Sequence, residues 1–83
     1  MADIEFSIRV VDEDGNGVQG AEVMVSYPFS HSEESTDEDG WVHFERDRTM
    51  HGGVRADIYI NSDKVADQIW IEEGTGETYS YTI

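Results

Sequence analysis

The chain has 83 residues, of which 19 are acidic and five basic, a formal net charge of −14. That length holds one domain, residues 1–83, and the charge argues against a nucleic-acid backbone or an anionic membrane surface as partner, because each would repel it. With no Cys there is no disulfide, thiolate metal site or thiol nucleophile, and no apolar run approaches the ~18 residues of a membrane span.

The elements follow in chain order. Ile4, Phe6, Ile8 and Val10 alternate with Glu5, Ser7 and Arg9, the period-2 pattern of a strand with one buried face. Asp12 to Gly20 holds three Gly and reads as a loop. Ala21, Val23, Val25 and Tyr27 alternate with Glu22, Met24 and Ser26, a second strand that Pro28 ends by removing a ladder donor. Ser30–Thr36 is polar and suits a short edge strand. Asp37-Glu38-Asp39-Gly40 is a turn, followed by the strand Trp41-Val42-His43-Phe44. Asp47–Gly53 reads as irregular. Val54, Ala56, Ile58 and Ile60 make the next strand, and Asn61-Ser62-Asp63 turns it back. Val65–Ile71 is a strand with Ile69 and Ile71 on one face and Trp70 on the other. Glu73–Gly76 turns again. Thr78–Ile83 alternates Tyr79, Tyr81 and Ile83 with Thr78, Ser80 and Thr82.

Leu is absent, against eight Val and seven Ile, which favours strands over helices. With the eight Gly the apolar share is roughly 47%, inside the globular range, so a small core can form despite the charge. Six or seven short strands with turns at regular spacing predict an all-β sandwich or small barrel.

Two stretches carry a resemblance. Val11-Asp12-Glu13-Asp14-Gly15-Asn16-Gly17-Val18-Gln19-Gly20-Ala21-Glu22-Val23 resembles the opening of carboxypeptidase regulatory-like domains. Thr36-Asp37-Glu38-Asp39-Gly40-Trp41-Val42-His43-Phe44 is similar to their second hallmark, a Thr-Asp-x-x-Gly turn followed by alternating aromatics. Together they span about a quarter of the chain. The resemblance implies a six- to seven-stranded Greek-key β-sandwich of the transthyretin (prealbumin-like) kind; its motifs are structural and imply a fold, not an activity. The chain departs from the pattern at Gly17, where the family has Pro, and at Val42, where it has an aromatic; Gly17 is expected to loosen its loop. Gly15, Gly20 and Gly40 are expected to supply positive φ or close backbone approach, and Asp12 and Asp37 to hold their loops by Asx-type bonds. A branch of the transthyretin-like fold hydrolyses 5-hydroxyisourate through a C-terminal Tyr-Arg-Gly-Ser signature. The ending Tyr79-Ser80-Tyr81-Thr82-Ile83 does not support that activity.

Asp12-x-Asp14-x-Asn16-Gly17 matches the first half of an EF-hand calcium loop, in which oxygens at positions 1, 3 and 5 converge on one ion. The match ends there. Position 12 falls on Val23 rather than a bidentate Glu, and the flanks read as strands. A structural turn is the leading reading, with calcium on Asp12, Asp14 and Asn16 as the alternative and no other cofactor expected. His31, His43 and His51 have spacings that fit no ligand motif and read as surface residues, His43 outward beside Trp41. No nucleophile motif, phosphate-cradling loop or telling His–carboxylate spacing is present, so an enzyme is not expected.

If Val42, Phe44, Ile58, Ile60, Ile69 and Ile71 point inward, Trp41, Tyr59 and Trp70 point outward. Exposed rings on a sheet can stack on sugars or anchor a protein. They can equally cover a sheet edge or pack under the Asp47–Gly53 loop. Acids occupy outward positions and turns throughout, with one Lys, a composition like that of salt-in halophiles. At molar salt the Debye length falls to about 3 Å and like charges cease to repel. A mimic of nucleic acid would need a charge stripe, and the acids are spread. The expectation is a non-enzymatic binding or structural module adapted to high salt. The alternatives are a carbohydrate-binding module using Trp41, Tyr59 and Trp70, and a calcium loop at Asp12–Gly17. The partner is a protein or glycan. A cytoplasmic location is expected if the 83 residues are complete, and an extracellular one if they belong to a larger exported chain.

Overall fold

A computed structural model describes residues 4–28, 30–46, 53–72 and 76–83. Seven strands form in order: β1 (Ile4–Val11), β2 (Glu22–Ser26), β3 (His31–Ser35), β4 (Trp41–Arg46), β5 (Gly53–Ile60), β6 (Asp63–Glu72) and β7 (Glu77–Thr82). They build two sheets, β4-β1-β7 and β3-β2-β5-β6, packed face to face as a β-sandwich. All pairings are antiparallel except β1 with β7, which run parallel.

The alternation expected from the sequence is the burial pattern. Ile4, Phe6, Ile8 and Val10 of β1, Val23 and Val25 of β2, Val42 and Phe44 of β4, and Val54, Ala56, Ile58 and Ile60 of β5 are buried. Together with Ala21, Tyr27 and Ile71 they form one core. Within the three-stranded sheet Phe6 stacks on Phe44 with centroids 5.4 Å apart and meets Tyr79 edge-on at 6.2 Å. Such pairs add about 0.5–1.5 kcal/mol beyond burial. β3 is the polar edge strand expected around Ser30–Thr36.

Three positions differ from the simple pattern. Gln68 and Asp67 together face Asp57, a bulge in which Gln68 takes φ 48° and its amide donates to the Asp57 Oδ1 at 2.7 Å. A second register shift lies at Val65, so Val65, Ala66 and Ile69 all reach the core although their sequence parities differ. Bulges of this kind twist an edge strand and hinder its pairing with another chain. Ile83, expected to share the inward face of Tyr79 and Tyr81, is 44% exposed. The β1–β7 ladder ends at the Val11–Thr82 rung, so Ile83 lies past the sheet. The turn after β5 is the tight kind that hairpins favour: Asn61 and Ser62 take φ 50° and 74°. The irregular segment expected at Asp47–Gly53 falls outside the described residues except Gly53, which opens β5; residues 73–75 of the Glu73–Gly76 turn also fall outside them.

Candidate functional site

The two stretches that carry the family resemblance fold into one unit at an end of the sandwich. Each contains Asp-Glu-Asp-Gly, and each closes in the same way. The Asp12 Oδ1 accepts from the amides of Asp14 and Asn16 at 2.9 and 3.0 Å. The Asp37 Oδ1 accepts from Asp39 and Trp41, both at 2.9 Å. Gly15 and Gly40 donate back to the Asp12 and Asp37 carbonyls, and both take φ 84°. Thr36, buried at 5% exposure, joins the two: its Oγ1 accepts from the Ala21 amide and donates to the Val18 carbonyl.

Gly17 does not loosen this unit. It pairs with Val11 and sits so close to the Asp39 carbonyl that a β-carbon there would overlap it. The glycine is therefore what lets the two turns meet, and a proline in its place would collide. The carboxylate of Asp12 has its Oδ1 committed to two amides. The Asp37 turn builds the same hydrogen bonds with Trp41, which offers no ligand oxygen, at the fifth position. Turn closure thus accounts for the Asp12 carboxylate and for the backbone of Asp14 and Asn16.

The three rings singled out in the sequence do not share a surface. Trp41, on β4, is 38% exposed on the outside of the three-stranded sheet, with the Arg9 guanidinium 5.7 Å from its ring. Tyr59 and Trp70 lie on the outside of the four-stranded sheet. Each ring does face outward from its strand, but the strands belong to different sheets, and that separates Trp41 from the other two.

On that second sheet a groove runs beside Arg55, and Trp70 stands across the β5–β6 ladder from that residue. Tyr59 is half-buried between Met24 and Lys64, its partners across the ladders, with the Lys64 ammonium 5.9 Å from the ring. Trp70 is 44% exposed and stands opposite Arg55. Its ring lies over Gly53: a β-carbon built on Gly53 would come within 2.7 Å of the ring carbons. Along β5, Arg55 and Tyr59 are four residues apart, about 13 Å at ~3.3 Å per residue. Beside Arg55 a depression of about 270 Å³ is lined by Ser26, Tyr27, Pro28, Arg55, Ala56, Asp57 and Gln68, with neither Tyr59 nor Trp70 in its wall. It offers a guanidinium, a carboxylate, an amide and a hydroxyl, and Trp70 is the ladder partner of its Arg55. Lys64 partly neutralises Asp57 at 3.5 Å and pairs with Asp67 at 2.6 Å. That pairing raises the Lys64 pKa through its hydrogen bond to Asp67, and lowers the Asp67 pKa in return.

The groove was not legible as a site in the sequence. Ser26, Arg55 and Gln68 meet only through the β2–β5–β6 ladder, and the strained Gln68 has no sequence signal of its own. In the wall of the groove the Tyr27 hydroxyl is buried with no hydrogen-bond partner of good geometry among the described residues, and Arg46 stacks on its ring at 4.2 Å. Burial raises the Tyr27 pKa, although Ser32 and Arg46 pull the other way.

Among the histidines, His43 points outward as expected and its Nδ1 lies 3.1 Å from the Ser7 Oγ. His51 falls outside the described residues. Compared with known proteins, the chain matches no family model and no curated protein.

Proposed function

We propose that the chain is a non-enzymatic binding module of the carboxypeptidase regulatory-like kind, with a surface suited to high salt, and that its ligand is a glycan held on the outer face of the four-stranded sheet. The groove beside Arg55, with Trp70 across the ladder from that residue, carries this reading. Sugar recognition needs an apolar ring to stack on and polar groups spaced to meet hydroxyls. Trp70 supplies the ring. Arg55, Asp57, Gln68 and Ser26 supply donors and acceptors within one shallow depression. Arg55 makes no ion pair among the described residues, so its guanidinium is available. The matching Asx closures of the Asp12 and Asp37 turns support the family reading, whereas the close approach of the two turns depends on Gly17, where the family has Pro.

A glycan array probed at molar salt, followed by titration with the best oligosaccharide, tests the reading. Trp70→Ala is expected to weaken binding by about 1–3 kcal/mol, the range for a truncated anchor ring, whereas Trp41→Ala leaves it unchanged. No glycan hit, or equal loss in both variants, would refute it.

A further inference from the structure

We propose that Glu5, His43 and Glu45 form a site for a divalent first-row transition metal ion, zinc above all, on the outer face of the three-stranded sheet. The proposal is independent of the glycan reading, because the groove lies on the other sheet. Antiparallel pairing of β1 with β4 sets Glu5 directly opposite Glu45 and Ser7 opposite His43. Each of the three residues offers one ligand atom, and these atoms all lie within 4.8 Å of one another.

The geometry is already partly that of a metal site. The His43 Nε2 and the Glu45 Oε1 are 3.4 Å apart. A tetrahedron with bonds of about 2.05 Å has an edge of about 3.3 Å, so the spacing of this pair matches that of two ligands on one zinc ion. Both side chains are exposed, at 52% and 58%, and Glu5 is exposed as well, so the third ligand can swing in and water can complete the shell. Ser7 orients the ring from behind. With Nε2 on a metal, the Nδ1–H donates to the Ser7 Oγ at 3.1 Å, the outer-shell bond that fixes metal-binding imidazoles.

The electrostatics favour a cation. Like charges directly opposite on neighbouring strands destabilise a sheet. Apart from His43 itself, 3.4 Å from Glu45, no basic side chain relieves the Glu5–Glu45 pair among the described residues: Arg9 is held by Trp41 and the Asp39 carbonyl, Arg46 by Tyr27 and Ser30, and Lys64 by Asp57 and Asp67. Arg55 lies on the other sheet. A bound dication removes the repulsion. One imidazole with two carboxylates suits zinc, nickel or cobalt better than calcium or magnesium, which take oxygen alone, and the absence of thiolates disfavours copper(I).

The test is a zinc titration of the whole chain at about 1 M sodium perchlorate, where exposed carboxylates are screened, followed by calorimetry and by NMR of the histidine ring protons. One zinc per chain is expected, with shifts centred on His43. His43→Gln and Glu45→Gln should each weaken binding at least about ten-fold, while Glu38→Gln in the distant turn leaves it within about two-fold of the parent. The variants alter exposed side chains only, and circular dichroism checks that each is folded. Equal zinc affinity in the parent and His43→Gln, no saturable binding up to millimolar zinc, or calcium binding as tightly as zinc would overturn the proposal.

Discussion

Glycines that look alike in the sequence have unequal tasks. Gly15 and Gly40 share φ 84°, yet a β-carbon at Gly15 meets open space, whereas at Gly40 it would strike the Val10 carbonyl, Gly17 and the Val18 amide. Gly15→Ala should therefore cost only the left-handed penalty of about 1–2 kcal/mol. Gly40→Ala adds a backbone collision and should cost at least about 3 kcal/mol or prevent folding, as read from urea melts. The tyrosines give a second residue-level prediction. Burial raises the pKa of Tyr27, Tyr79 and Tyr81, and for Tyr79 the hydrogen bond it donates to Glu77 adds to the effect. A phenol whose pKa is raised on folding contributes stability that is complete below its unfolded pKa of about 10 and is lost as pH rises through the folded value. The melting temperature should hold up to about pH 9 and fall from about pH 10 upward, in step with tyrosinate absorbance. Unfolding that precedes tyrosinate formation would contradict this.

At the scale of elements, the strands whose inward residues alternate strictly were legible in the sequence, because a period of two has one cause: burial of one face. β6 was legible only in part. Its bulges put Val65, Ala66 and Ile69 against the core together, and nothing in their order announces that. Gln68 holds its φ of 48° because Asp57 on the neighbouring strand captures its amide. A non-glycine residue in this conformation stores about 1 kcal/mol, and strain of this kind collects at binding sites. Gln68→Gly should stabilise the fold by up to about 1 kcal/mol while weakening glycan binding, a trade measurable by thermal melts and titration on the same sample. The sheet to which each strand belongs is a long-range fact. It divides Trp41 from Tyr59 and Trp70, and it gathers both the groove and the Glu5–His43–Glu45 group from distant parts of the chain.

Over the whole molecule, the acids act on the solvent. The core is ordinary in kind but small, inside a body of 39 × 21 × 16 Å that carries a net charge of −14. At low ionic strength this charge repels itself across the entire surface; near 1 M salt the Debye length of about 3 Å confines each carboxylate to its own neighbourhood. The melting temperature should rise continuously from about 0.1 M to about 2 M potassium chloride. A flat profile would remove the argument for adaptation to high salt.

The central claim concerns the outer face of the four-stranded sheet, and NMR titration tests it most directly. Backbone and Trp indole resonances are followed at molar salt as the best oligosaccharide from the array is added. The account predicts saturable shifts at Trp70, Arg55, Gln68 and Ser26, with Trp41 unmoved. Shifts centred on Trp41 or the Asp12–Gly17 turn, or no saturable shift with any glycan, would contradict it.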